Sequence, residues 1–355
     1  MTSVIETRYF PIDPLAPDPG AIEECGRIIR EGGLVAFPTE TVYGLGANAL
    51  EEGACRRIFQ AKGRPQDNPL IIHVASPDDL EVLTTDLPPQ AAKCIQAFWP
   101  GPLTLVLPKA PRVPAVVSAG LNTVALRMPD HPAALALIRA AGVPVAAPSA
   151  NLSGRPSPTL GSHVMEDLAG RVEAVLDAGP CRVGVESTVL DLTEALPVIL
   201  RPGGITREEL TGVLGQVAVD PGLQDESLAP RSPGVKYRHY APKGKLVPVS
   251  GPEEKVQARI LREIRRGREQ GLRVAVLCSA ESAPVYAGSG AEYVEILGSK
   301  REPWTVAATL YRALRECDQR NIELILAETF ARSGMGAAVM NRLEKAAGHH
   351  VILLT

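Results

Sequence analysis

The segment Lys62-Gly63-Arg64-Pro65-Gln66-Asp67-Asn68-Pro69-Leu70 sets two cations around a glycine and follows them with an amide, closing each group with a proline. In extended backbone, residues i and i+2 share a side, so Lys62 and Arg64 are expected to face one target together. Gly63 lets the chain approach that target closely, and Pro65 and Pro69 stop a regular helix from running through. A point-like ammonium beside a planar guanidinium fork suits the oxygens of a polyphosphate. A lone Lys/Arg pair is most often solvated surface, so the reading depends on the company these residues keep.

Four further segments place polar groups among small residues and prolines at strand ends. Phe37-Pro38-Thr39-Glu40-Thr41-Val42-Tyr43-Gly44-Leu45-Gly46-Ala47 runs from an apolar strand into hydroxyls and glycines, as either a helix cap or the wall of a small-ligand site. In Pro148-Ser149-Ala150-Asn151-Leu152-Ser153-Gly154-Arg155-Pro156-Ser157, Ser149 and Asn151 again have i, i+2 spacing and can present a hydroxyl and an amide to one ligand; a plain polar turn is the alternative. Thr123-Val124-Ala125-Leu126-Arg127 ends an apolar run in an arginine, an ion-pair partner or a carboxylate receptor, and His73 ends another strand. Ser187 and Thr188 sit inside the apolar stretch 185–192, and Arg201 ends the next one.

The 355 residues are enough for two domains, and 45% apolar with 22% charged residues marks an ordinary globular chain of net charge −3. Residues 1–217 hold 17 Lys+Arg against 24 Asp+Glu, a charge of −7, and residues 218–355 carry +4. The strongly basic domain of a nucleic-acid binder is absent. Six scattered cysteines without a Cys-x-x-Cys pair argue against a zinc site or a disulfide framework, and fit a reducing compartment. With no signal peptide and no apolar run of spanning length, the expectation is a cytoplasmic protein without a membrane partner.

These residues need a scaffold. Helical periodicity is expected over 21–31, 51–61, 89–98 and 132–141, with strands over 34–37, 70–74, 103–107, 123–126, 143–147, 172–177, 185–192 and 198–201. Many strands with short, non-crossover connections indicate an α/β domain on a twisted mixed sheet over residues 1–217. Residues 218–243 lack a period and end in Lys236-Tyr237-Arg238-His239-Tyr240-Ala241-Pro242, too aromatic and basic for an inert spacer, so they read as a linker or lid. Residues 244–355 alternate strand and helix, as a smaller Rossmann-like parallel domain. Its Gly334-Met335-Gly336 is an incomplete dinucleotide fingerprint and reads as packing or a turn.

The ordered set Phe37-Pro-Thr-Glu-Thr-Val-Tyr-Gly-Leu, Lys62-x-Arg64, Ser149-x-Asn151 and Ser187-Thr188 resembles the YrdC-type threonylcarbamoyl-AMP synthases. The Lys-Tyr-Arg-His-Tyr-Ala-Pro linker and the C-terminal domain resemble their two-domain form, the latter by layout more than by motif. The resemblance implies a nucleotidyltransferase that joins L-threonine, bicarbonate and ATP into threonylcarbamoyl-AMP and pyrophosphate, with Mg²⁺ on the triphosphate. A partner transferase would then modify tRNA; direct contact of this chain with tRNA is left open. By the same resemblance, Lys62 and Arg64 act in catalysis. Together with Asn68, Thr123, Ser149, Asn151, Ser157 and Arg201 they line the ATP side, and Tyr237, Arg238 and Tyr240 close over it. Thr39, His73, Arg127 and Ser187 hold threonine, with Arg127 on its carboxylate. The residues themselves show no convincing Ser-His-Asp, Cys-His or metal-ligand set. This suits a reaction in which a carbamate, already an oxyanion, attacks the α-phosphate. Two rivals remain: a carbamoyl-adenylating enzyme with another acceptor, and a double-stranded RNA-binding or ribosome-assembly module.

Overall fold

The structure, a computed structural model, describes residues 5–223 and 239–355. The chain divides into two compact units, one of residues 1–153 and 157–237 and one of residues 154–156 and 238–355.

The first unit carries eleven strands: β1 (Arg8–Pro11), β2 (Val35–Phe37), β3 (Gly44–Asn48), β4 (Ile71–His73), β5 (Leu103–Pro108), β6 (Thr123–Arg127), β7 (Val145–Ala146), β8 (Ala174–Asp177), β9 (Thr188–Asp191), β10 (Val198–Arg201) and β11 (Ala218–Val219). They form one sheet in the order β1-β8-β2-β3-β7-β4-β6-β5-β9-β10-β11. Parallel pairs such as β4–β6 alternate with antiparallel ones such as β3–β7 and β5–β6, giving the expected mixed sheet. Its two faces are covered by separate apolar clusters. One gathers Leu45, Ile58, Ile72, Leu105 and Leu126; the other packs the helices Pro19–Arg30 and Pro132–Ala141 through Ile22, Ile29 and Leu137. Strands sit about 4.8 Å apart, yet the rings of Phe37 on β2 and His73 on β4 approach to 6.1 Å across two intervening strands. The Phe37 ring spans that distance by lying over Gly44 and Gly46 of β3, where a Cβ would meet it at 3.4 and 2.9 Å.

Two parts of the sequence reading change here. The segment 44–48, which reads as part of either a helix cap or a ligand wall, is strand β3; residues 8–11 add an edge strand, and Ala218–Val219, expected in the linker, pair with β10 as β11. Lys62 is not in extended backbone: it is the last residue of the helix Glu52–Lys62, and Gly63 caps that helix at φ 60°. A left-handed cap reverses the chain there, so the i, i+2 argument for Lys62 and Arg64 does not hold.

The second unit is a five-stranded parallel sheet of β12 (Lys245–Ser250), β13 (Val274–Ser279), β14 (Tyr293–Gly298), β15 (Leu324–Glu328) and β16 (Ile352–Leu353), ordered β14-β13-β15-β12-β16. The chain leaves β13 and β15 in opposite directions, which marks the crevice where such sheets usually take ligands. That crevice is filled by the protein's own groups. Buried Glu328 accepts bonds from the Ser279 amide at 3.0 Å and the Tyr286 hydroxyl at 2.8 Å, and Lys300 reaches Glu253 at 3.1 Å and Ser282 at 3.2 Å. All six cysteines of the chain are buried and unpaired.

Candidate active site

Lys62 is 2% exposed, and its ammonium donates to the backbone carbonyls of Ser149 and Asn151. The end of one helix is thereby tied to the turn after β7. In that turn the Ser149 hydroxyl donates to Asn151 Oδ1 at 2.6 Å, and Asn151 Nδ2 donates to the Leu152 carbonyl at 2.8 Å. Arg64 donates to the carbonyls of Asn68 and Pro69 at 3.3 and 3.2 Å, folding the loop onto its own start. Lys62, Arg64, Asn68, Ser149 and Asn151 thus come together through helix end, loop and turn rather than through strand spacing.

His73 and Arg127 are register partners at the ends of β4 and β6. Full burial, and then the Arg127 charge, push the His73 imidazole down to about 3, so it is neutral at physiological pH. Its Nδ1 has no hydrogen-bond partner among the described residues. Arg127 is 4% exposed; its Nε donates to the Gly101 carbonyl at 3.3 Å, and its Nη2 lies 2.7 Å from Glu40 Oε2. Thr123 begins the strand that Arg127 ends, so the two sit at opposite ends of β6. Thr39 lies in the turn between β2 and β3. Its Oγ1 shares a hydrogen bond with Thr41 Oγ1 at 2.8 Å, donates to the Val42 carbonyl at 2.6 Å and accepts two backbone amides.

Arg201 and Ser187, assigned by resemblance to different substrates, are in direct contact. Arg201 Nη2 donates to the Ser187 carbonyl at 3.0 Å and hydroxyl at 3.1 Å, and that hydroxyl also meets Thr104 Oγ1 at 2.7 Å. Ser157 donates to buried Glu186 at 2.6 Å. Tyr240 is buried in the second unit, its ring 5.3 Å from Tyr311 and 5.7 Å from the Arg342 guanidinium. Tyr237 and Arg238 lie outside the described residues. Among the described residues, no group of three or more His, Cys, Asp or Glu gathers as a metal site, and no helix is long and apolar enough to cross a membrane.

Residues 27–203 match the family model described as "Telomere recombination", and residues 205–348 match that of the "Threonylcarbamoyl-AMP synthase, C-terminal domain". A threonylcarbamoyl-AMP synthase of Bacillus subtilis is 51% identical over 96% of both chains. One from Schizosaccharomyces pombe is 40% identical over 92% of this chain and 88% of its own. The chain belongs to the threonylcarbamoyl-AMP synthase family. Within that family, the crystal structure of Pyrococcus abyssi Sua5 complexed with L-threonine superposes with a TM-score of 0.93 at 48% identity, covering 98% of this chain and 100% of that one. Membership makes this chain a nucleotidyltransferase-type enzyme of the two-domain form.

Three polar residues that contact these candidates in the synthase fold carry no assignment from sequence: Glu40 beside Arg127, Thr104 on Ser187 and Glu186 on Ser157. Glu40 belongs to the Phe37–Ala47 segment, and its signal is an acid between two threonines next to an apolar strand. Thr104 becomes visible only when β5 and β9 pair, which sets Leu103 against Thr188, and Glu186, which directly precedes Ser187, only through its bond from Ser157.

Proposed function

We propose that this chain joins L-threonine, bicarbonate and ATP into threonylcarbamoyl-AMP and pyrophosphate, and so supplies the activated group for a tRNA-modifying transferase. The observation that carries the reading is the clamp of Lys62 on the Ser149–Asn151 turn. It fixes a buried ammonium next to hydroxyl and amide groups, as an anionic nucleotide requires. Arg127, Thr39, His73 and Ser187 form the amino-acid side.

The carbamate oxygen of N-carboxythreonine attacks the α-phosphorus. A P–O bond forms, the bond to the β-phosphate oxygen breaks, and the electron pair leaves on pyrophosphate. This step moves no proton, so the protein's task is alignment and charge stabilisation by Lys62 and Arg64. Neutral His73 fits a pocket that hydrogen-bonds the threonine hydroxyl rather than one that moves a proton there. Mg²⁺ would enter with ATP, held by phosphate oxygens and water, because the side chains assigned to the ATP side are cations, hydroxyls and amides and the carboxylate beside them, Glu186, accepts from Ser157. Six unpaired thiols fit action in the reducing cytoplasm.

The test supplies ATP, L-threonine and ¹³C-bicarbonate and reads the product mass. Label in a threonylcarbamoyl adenylate, with one pyrophosphate per product, is expected. ATP turnover without incorporated label, or product only from carbamoyl phosphate, refutes the reading.

A further inference from the structure

Glu40 lies in the turn between β2 and β3 and is 2% exposed. Its backbone is fixed: the Val183 amide donates to its carbonyl at 2.7 Å, and the Gly184 amide donates to that of Thr41 at 3.1 Å. Among the described residues neither oxygen of its carboxylate accepts a hydrogen bond. Buried carboxylates are ordinarily paired and hydrogen-bonded, so this one has acceptor capacity to spare.

Its counter-ion shares that property. Arg127 Nη2 is 2.7 Å from Glu40 Oε2, yet none of its N–H bonds points along the line, and that nitrogen makes no hydrogen bond. An arginine held in place by a carboxylate is normally met in line, often through two parallel bonds. Here the charges neutralise each other while both Glu40 oxygens and Arg127 Nη2 make no directional bond; Arg127 Nε is spent on the Gly101 carbonyl.

A ligand that satisfies both carries an anion and a cation as substituents of one carbon. An α-amino acid zwitterion does so: its carboxylate faces Arg127 and its ammonium faces Glu40. A carboxylic acid without the amine would satisfy Arg127 and set a second anion against Glu40.

We infer that Glu40 receives the α-ammonium of the amino-acid substrate and takes the proton that the amine sheds as the carbamate forms. This rests on the reaction proposed above. An ammonium N–H bond breaks and its proton passes to the Glu40 carboxylate. The freed electron pair forms the N–C bond to bicarbonate carbon, a second amine proton passes to the bicarbonate hydroxyl, and the carbon–oxygen bond that breaks releases water. The sum is ammonium plus bicarbonate giving N-carboxylate, water and one proton on Glu40.

The charged and titratable groups around the Glu40–Arg127 pair leave Glu40 this task. Arg127 is a fixed cation. Burial holds the His131 and His73 imidazoles below their usual range and raises the Cys181 thiol, so all three are neutral near pH 7. Asp130 is exposed and paired with Arg182 at 2.7 Å.

Calorimetry on the full chain without ATP, with L-threonine and with 3-hydroxybutanoate (the same skeleton without the amine), tests this. The wild-type protein should prefer threonine by about 10- to 100-fold, the range for a charged hydrogen bond. Glu40→Gln should lose that preference by weakening threonine alone, while 3-hydroxybutanoate binds as before or more tightly. Its deficit in kcat/KM for threonine should shrink as pH rises and the free amine becomes abundant. Equal weakening of both compounds makes Glu40 only a brace for Arg127 and overturns the inference, as does an absence of preference in the wild-type protein, which needs no variant to fold. If neither compound binds the wild-type protein, the function reading itself has failed.

Discussion

A neutral, buried His73 makes the first unit acid-sensitive by a calculable amount. Its imidazole titrates at about 3 in the folded protein instead of 6.5. Protonation therefore favours the unfolded chain: the stabilisation is complete above pH 6.5 and is lost as pH falls towards 3. At pH 5 the unfolded state gains the free energy of about 1.5 pH units of protonation. At 1.36 kcal/mol per unit this is about 2 kcal/mol, a large part of a typical domain stability of roughly 5–15 kcal/mol. Glutamine at this position is polar and does not titrate, so His73→Gln removes this contribution and leaves the carboxylates alone. The chain has two tryptophans, Trp99 in the first unit and Trp304, 57% exposed, in the second. In a Trp304→Phe background, urea unfolding followed by Trp99 fluorescence reports the first unit. The wild-type protein should lose about 2 kcal/mol more than His73→Gln between pH 7.5 and pH 5. Curves that fall in parallel to within about 0.5 kcal/mol would refute the argument.

Gly203→Ala should abolish activity and destabilise the first unit by several kcal/mol, seen as a lowered urea midpoint. A Cβ there would lie 2.4 Å from the backbone of Glu186, Ser187 and Thr188 and would push Ser187 off Arg201. Lys62→Ala and Arg64→Ala should each cost about two to three orders of magnitude in pyrophosphate release. Lys62→Arg should not rescue the first, because the bulkier planar guanidinium does not fit the fully buried place of a compact ammonium. Ser157→Ala leaves Glu186 short of a donor, and a loss of about 1–3 kcal/mol in chemical denaturation is expected.

The mixed sheet and the parallel second unit were legible because buried strands are apolar and β-branched, and their short connections limit the topology. Strand β3 was not, since Gly-Leu-Gly-Ala-Asn has poor β propensity. Its glycine answers to packing: a Cβ on Gly46 would meet Val145 Cγ1 at 2.8 Å and Phe37 Cε1 at 2.9 Å. Lys62 and Arg64 were found by residue type, although the spacing argument failed at the helix cap. Periodicity places helix ends poorly, and Gly63 serves a left-handed cap as readily as a loop. Arg127 was visible as a cation closing an apolar strand. The state of Glu40 was not, because the burial and pairing of an acid depend on a strand far along the chain.

The six cysteines turn this chain into its own opening clock. All are buried, and burial raises every thiol, to about 11 for Cys94 and about 12 for Cys25, Cys55, Cys278 and Cys317, with Cys181 raised as well. A thiol-seeking reagent attacks only the thiolate, so labelling is silent in the closed molecule and counts each exposure event. Four cysteines lie in the first unit and two in the second, so the mass shifts of six peptides time the breathing of each unit separately. On a background this inert, a cysteine introduced at a chosen surface position becomes the single fast-reacting site.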